Sequence, residues 1–270
     1  MRIGVRAHDF GKRSAHELSF AIKSAGFETV QLALPKGIEG IDSYNDVTEA
    51  TLVDVRESFA KNSLKIDVLG CYIDPSLPDE GSRLEQVAFF QKSLGHARVL
   101  GAPIVATETT NFDGSEQERE IAFSRLKDSV LRMVDTAEKE GVTVGVEMVS
   151  WHVMCRPALA RRLLDEVKSE RLKIVLDPVN LLTKENFSNQ DAIIDEAFDL
   201  LGPEVVAMHI KDAGADMSWT NLGAGAVNLK RIFSRITALG RELPLLREEV
   251  RMDSFARDVS AMKSLIQGGL

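Results

Sequence analysis

The sequence predicts one (β/α)8 barrel, a TIM barrel domain spanning residues 1–270. Three observations predict it: eight short apolar runs rich in β-branched residues, longer amphipathic segments alternating with them, and glycines where those segments should stop. Runs of this kind, separated by helices, belong to a parallel sheet, because parallel strands need a crossover between them. Eight is the number that closes a barrel. The competing architecture is an open doubly wound sheet, and no Gly-x-Gly-x-x-Gly follows an early strand to support it.

The first run is RIGVRA from Arg2. Ser14 and Glu17 follow it with the Ser-x-x-Glu spacing of a capping box, and the helix they open should stop at Gly26. ETVQLA from Glu28 is the second strand and KIDVLGC from Lys65 the third. Ser82 with Glu85 opens a helix closed by Gly101, ahead of PIVATE from Pro103. Ser115 with Glu118 opens another, closed by Gly141, ahead of VTVGVE from Val142. KIVLD from Lys173 is the sixth strand, and the helix after it should stop at Gly202. EVVAMH from Glu204 is the seventh, and Gly240 ends the helix before the eighth, LPLLREE from Leu243. No Pro-, Ser- or Gly-rich tract and no shift in composition marks a linker, so no domain boundary is placed.

A chain of 270 residues, 44% hydrophobic and 27% charged, can bury one large core. Its net charge of −8, with no clustering of Lys and Arg, argues against a nucleic-acid partner, since neutralising phosphates takes basic patches. A small solute is the expected partner. The opening MRIGVRAHDFGKRS lacks the apolar run of a signal peptide or anchor, and no later stretch reaches transmembrane length, so no membrane is expected. Two distant cysteines, Cys71 and Cys155, read as free thiols and fit a reducing cytoplasm.

In such a barrel the chemistry sits at the C-terminal ends of the strands. Here those ends are polar: Glu108 on the fourth, Glu147 on the fifth, Asp177 on the sixth, His209 on the seventh, and the pair Glu248 and Glu249 on the eighth. Any one of them can be the polar exit of a strand. Their run through consecutive strands, all from the metal-ligand alphabet, points further. Carboxylates crowded in a dry pocket repel unless a cation sits among them or some take up protons. One divalent metal ion is the simplest answer, Mn2+ foremost, with Mg2+, Co2+ or Zn2+ as alternatives, because the donors are oxygens and one nitrogen with no thiolate. Such an ion acts as a Lewis acid toward a carbonyl oxygen while a base removes the neighbouring C–H proton.

At VTVGVEM, IVLDPVN, VVAMHIKD followed by NLGAGAVNLKRI, and LPLLREEV, the sequence resembles the xylose-isomerase-like barrel superfamily. Within it, the chain is similar to the sugar phosphate isomerase/epimerase group, which also contains the ketose 3-epimerases and the endonuclease IV branch. The resemblance spans the chain and implies a carbohydrate substrate and a metal held by Glu147, Asp177, His209 and Glu248. Glu248 is chosen over Glu249 because it follows the apolar run and Arg247 where the family has its glutamate. The resemblance also implies Glu147 and Glu248 as the catalytic pair on opposite faces of the substrate carbon, one removing the proton and the other returning it through a metal-stabilised enediolate. Self-association is common in the group, which leaves a homo-oligomer open.

Further candidates for substrate binding are His8, Glu108, His152, Asn180 and Lys211. Loop polarity explains His8, Glu108 and His152 equally well, and a loop or cap role explains Asn180. Lys211 shares a strand face with His209, two residues away, so it can reach the substrate or pair with a ligand carboxylate. Trp151, Trp219 and Tyr72 are candidate apolar walls. Gly223-Ala224-Gly225 ahead of a helix resembles the phosphate cradles of many barrels, and leaves a phosphorylated and an unphosphorylated substrate equally open. The expected activity is therefore that of an isomerase or epimerase of a ketose or sugar phosphate. A metal-dependent lyase or dehydratase is the alternative, since the same enolate can expel a leaving group, and Asn180 stands where ketose 3-epimerases commonly carry histidine. An endonuclease IV-like hydrolase is disfavoured by only five histidines and by the acidic balance, and a non-catalytic barrel by the intact ligand set.

Overall fold

In the computed structural model, which describes residues 1–251 and 253–268, every apolar run becomes a strand of one closed parallel barrel. The strands are β1 (Arg2–Arg6), β2 (Thr29–Leu32), β3 (Lys65–Gly70), β4 (Ile104–Glu108), β5 (Thr143–Glu147), β6 (Leu172–Leu176), β7 (Val205–Ile210) and β8 (Pro244–Arg247). Each pairs with its sequence neighbours, and β1 closes the ring on β8 with Ile3 opposite Leu245. The helices that follow the strands are α1 (Ala15–Ser24), α2 (Glu49–Lys61), α3 (Glu80–Leu100), α4 (Glu116–Glu140), α5 (Pro157–Val167), α6 (Gln190–Leu201), α7 (Leu229–Ala238) and α8 (Phe255–Ile266). No helix among the described residues is long and apolar enough to cross a membrane.

Helix starts follow cap chemistry. Ser14 accepts from the backbone N–H of Glu17, and Ser115 with Glu118 forms a full reciprocal capping box. The expectation at Ser82 is corrected: Asp79 is the cap of α3, its Oδ1 accepting from Ser82 N at 2.8 Å, so the helix begins a turn earlier. Aspartate caps as well as serine, and the Ser82/Glu85 spacing falls inside the first turn. Gly101 and Gly141 end their helices in the left-handed conformation, as expected. Gly202 does not. It stays right-handed (φ −46°) and opens a 3-10 turn, Gly202–Glu204. Its lack of a side chain serves packing, because a Cβ there would lie 3.0 Å from Leu239 Cδ2.

Alternation along the strands divides the core in two. Outward-facing residues join the helices in the large apolar layer, while Val68, Ile104, Ala106, Val175, Ala207 and Leu246 form a separate cluster. That cluster fills the lumen and floors the mouth of the barrel. Gly4 belongs to the crowded interior: a Cβ on it would stand 2.6 Å from Thr29 Cγ2 and 2.9 Å from Leu246 Cδ2.

Candidate metal centre and active site

The strand ends deliver their polar residues to one mouth. Glu147 ends β5 opposite Glu108 of β4, Asp177 follows β6 directly, His209 lies in β7, and Glu248 follows β8. All but Glu108 are buried. Period-two alternation puts His209 and Lys211 on one face, and Glu248 on the face of the lumen residue Leu246. Glu249 points elsewhere: its backbone is left-handed (φ +55°), and its half-exposed carboxylate accepts from Arg6 Nη2 at 2.9 Å.

The buried residues form one network. His209 Nδ1 stands 3.1 Å from Glu147 Oε2 and 3.4 Å from Glu248 Oε1. Lys211 Nζ donates to Asn180 Oδ1 at 2.6 Å, lies 3.5 Å from Glu248 Oε2, and makes a 2.8 Å ion contact with Asp177 Oδ2 outside hydrogen-bond alignment. Asn180 Nδ2 donates to Glu147 Oε1 at 2.7 Å, so this amide ties the glutamate to the lysine. Asp177 Oδ1 accepts from the backbone N–H groups of Val179 and Asn180, which fixes its second oxygen toward the mouth.

Charge is balanced inside the network. Three carboxylates, Glu147, Asp177 and Glu248, face the cations His209 and Lys211, with Arg6 Nη1 3.7 Å from Glu248 Oε2. Burial would lower the His209 pKa, yet the combined attraction of Glu147, Glu248 and Asp177 outweighs it and raises the imidazole to about 9. Burial would raise Glu248, and His209, Lys211 and Arg6 outweigh it, holding this carboxyl at about 2. Glu147 moves the other way, upward, because its burial dominates the attraction of His209.

Glu147, Asp177 and His209 each offer one ligand atom, and those atoms lie within 4.8 Å of one another. Two of the relevant atoms, His209 Nδ1 and Asp177 Oδ2, are buried and face ionic partners, Glu147 Oε2 at 3.1 Å and Lys211 Nζ at 2.8 Å, that a bound cation would replace. The other imidazole nitrogen, Nε2, is 2.8 Å from Gln31 Oε1 of β2. A carboxamide oxygen only accepts, so Nε2 carries a proton and Nδ1 is the nitrogen left for a metal. Gln31 in turn donates to the Tyr72 hydroxyl at 2.9 Å. Two hard oxygens and one imidazole fit a divalent cation with room for further oxygen ligands.

The remaining candidates lie higher on the wall. Glu108 and His152 face one another, Oε2 to Nε2 at 3.9 Å, and line a cavity of about 220 Å3 with Tyr72, Asp74, Thr109 and Asn111. Burial holds His152 at about 4, and burial together with repulsion from Glu147 and Glu248 lifts Glu108 to about 7. His8, in a 3-10 turn after β1, sets its ring edge-on to Tyr72 at 6.1 Å and makes no side-chain hydrogen bond to the buried network. Trp219 caps Lys211, 4.9 Å from its Nζ to the ring centroid. Larger clefts between α7 and α8 and beside α2 contain none of the strand-end residues of the buried network.

Sequence reasoning missed Gln31, the hydrogen-bonding role of Tyr72, and Arg6. For Gln31 a signal existed, a lone polar residue inside the apolar run ETVQLA. Its meaning depends on a partner on the far side of the barrel.

A family model described as xylose isomerase-like TIM barrel matches residues 20–264. No curated protein matches the chain in sequence. Among solved structures, a D-tagatose 3-epimerase-like protein superposes with a TM-score of 0.81 at 15% identity, over 99% of this chain and 97% of the other. A D-psicose 3-epimerase determined in the presence of D-fructose gives 0.76 at 15%, covering 100% of both. The IolI protein with a bound zinc atom gives 0.77 at 16%, over 100% and 99%. At these identities the likeness is one of fold.

Proposed function

Since the chain belongs to the xylose isomerase-like TIM barrel family, we propose that it is a divalent-metal-dependent isomerase or epimerase that moves a proton at the carbon beside the carbonyl of a sugar or sugar phosphate. One observation carries the reading: Glu147 and Glu248 approach His209 Nδ1 from different strands, at 3.1 and 3.4 Å, so two carboxylates flank one ligand atom. Structures with the same fold include proteins described as acting on ketoses, and the IolI protein was determined with zinc.

Glu147, Asp177 and His209 would hold the ion, with Glu248 completing the set. When bound, the cation supplies Lewis acidity that gathers negative charge on a neighbouring carbonyl oxygen. The chain's own residues do the rest. Glu147 takes the proton from one face of the substrate carbon, and Glu248 returns one to the other face or to the adjacent carbon. Proximity selects these bases more than basicity does, since both are fixed in place before the substrate arrives. Asn180 and Lys211 hold Glu147 and Asp177, and Lys211 also presents its ammonium to substrate oxygens. The lumen cluster beneath keeps water from the floor of the site.

The test is to incubate the metal-loaded protein with a panel of ketoses and their phosphates in D2O and follow the products by NMR. Exchange of the C–H beside the carbonyl, with inversion or with carbonyl migration, is the expected outcome. Net elimination would replace the reading with a lyase, and no exchange across the panel would remove it.

A further inference from the structure

We propose that Glu108 is a third catalytic carboxyl, which moves a proton between two adjacent substrate oxygens, and that the reaction is therefore migration of a carbonyl and not inversion at a carbon. The inference rests on the isomerase/epimerase reading and deepens it.

Glu108 ends β4 directly opposite Glu147 of β5 in the barrel register, so the two side chains leave neighbouring strands on the same face. Their surroundings differ. Glu147 accepts from Asn180, Asp177 from two backbone N–H groups and Glu249 from Arg6, while Glu248 lies among His209, Lys211 and Arg6. Among the described residues, none donates a hydrogen bond to the Glu108 carboxyl; His152 Nε2, at 3.9 Å, is beyond reach. A half-buried carboxyl is thus left with its lone pairs open to a ligand.

The wall beside it holds a second unpartnered group. His152 is 5% exposed, its Nδ1 has no hydrogen-bond partner, and it lines a cavity of about 220 Å3 with Glu108, Tyr72 and Thr109. The loop that carries it is pinned to the loop after β4. Asn111 and His152 pair as an antiparallel bridge, Val153 N donates to the Thr110 carbonyl at 2.9 Å, and Arg119 Nη1 donates to the His152 carbonyl at 2.8 Å. Tyr72 joins this cavity to the candidate metal centre, since its hydroxyl accepts from Gln31 and Gln31 meets His209. A neutral imidazole there can donate one hydrogen bond and accept another, which holds a substrate hydroxyl in front of Glu108.

The chemistry decides what a third carboxyl is for. Inversion at one carbon breaks and remakes a C–H bond, and two carboxylates suffice. Carbonyl migration must also carry a proton from one oxygen to the next. One carboxylate takes the C–H proton; that electron pair forms the C=C bond of an enediolate, and the carbonyl π pair moves onto its oxygen. Glu108 then takes the proton of the neighbouring hydroxyl. The O–H electrons form the new C=O, and the former carbonyl carbon takes a proton from the acid–base pair. Glu108 passes its own proton to the former carbonyl oxygen and ends as the carboxylate it began as. The substrate loses one C–H and one O–H and gains one of each. Lys211 does not fill this role, because an ammonium held by Asn180, Asp177 and Glu248 has donors and no lone pair to accept with.

Two measurements test this. The metal-loaded protein is incubated with a panel of ketoses and their phosphates in D2O, and exchange and migration are followed separately by NMR. The parent should give the migrated carbonyl. Glu108→Gln keeps the side-chain size but cannot take a proton, so migration should fall at least about a hundredfold. Deuterium should still enter the carbon beside the carbonyl at a rate within a few-fold of the parent, and Glu108→Asp should restore part of the migration. His152→Gln should lower the ratio of migration to exchange about tenfold, which a structural role would leave unchanged. An epimer as the parent's sole product, net elimination, or equal loss of both signals in Glu108→Gln would overturn the proposal. If the parent neither exchanges nor converts any ketose, the isomerase/epimerase reading fails, and a binding measurement decides Glu108 by itself. Glycolohydroxamate, whose adjacent oxygens copy an enediolate, is titrated calorimetrically into parent and Glu108→Leu at equal metal content. Binding at least about tenfold weaker in the variant is expected; equal binding, or none by the parent, would overturn the role of Glu108.

Discussion

Gln31 of β2 and His209 of β7 meet across the mouth of the barrel, Oε1 to Nε2 at 2.8 Å, although they are 178 residues apart in sequence. The contact chooses which imidazole nitrogen keeps its proton and which faces Glu147 and Asp177. A residue outside the ligand set therefore orients the ligand, and Tyr72 orients that residue in turn.

Replacing Gln31 by leucine keeps the volume of the side chain and removes the acceptor. Metal affinity should fall about 10- to 100-fold, the usual cost of losing such a partner, with the far-UV circular dichroism unchanged. Competition against a chromophoric chelator measures it. Unchanged affinity would mean that His209 needs no help in presenting Nδ1.

Glu248 and Glu249 are adjacent, yet one is buried beside His209 and the other is half-exposed against Arg6. Glu248→Gln should lower proton exchange by about 10^2- to 10^4-fold, the span expected for losing a general acid–base group. Glu249→Gln should stay within a few-fold of the parent. Equal losses in the two variants would show that the assignment of the strand-eight carboxylate is wrong.

The His209 imidazole, raised from its ordinary 6.5 to about 9, is protonated at pH 7 in the metal-free chain. Its contribution to metal-free stability is thus fully present below about 6.5 and lost as pH rises through 9. A metal must displace that proton, so apparent affinity should climb about tenfold per pH unit over the same interval. Calorimetric titrations at pH 7 in buffers of different ionisation enthalpy should show close to one proton released per ion. Release of none would contradict the charged imidazole.

Arg247 and Asp258 are both fully buried, paired at 2.9 Å, and Arg247 also donates to the carbonyl of Glu248. This pair fastens α8 to the end of the strand that carries the proposed base. Asp258→Ala leaves an uncompensated guanidinium, and unfolding in urea should report a loss of about 3–5 kcal/mol. A loss below about 1 kcal/mol would indicate that water reaches the arginine.

Much of this was legible in the sequence for a physical reason. Strands buried on both faces read as apolar runs, so the polar residues that end them stand out: Glu108, Glu147, Asp177, His209 and the pair Glu248 and Glu249 were marked by position, and the family resemblance supplied the choice of Glu248. What stayed hidden depends on partners distant in the chain. Gln31 is one amide in a strand until His209 is placed opposite it. Gly223 and Gly225 suggest a phosphate cradle until Asp212 is seen inside it. At helix ends the errors were local: Asp79 competes with Ser82 for the same cap, and Gly202 is small for the sake of Leu239.

The account rests on Glu147, Asp177 and His209 sharing one ion. Chelator-treated protein, dialysed against Mn2+ and assayed by elemental analysis, should retain one ion per chain, and Asp177→Asn and His209→Gln should each bind at least about a hundredfold more weakly, roughly 2.7 kcal/mol. A parent chain that retains no ion, or variants that retain it equally well, would contradict it.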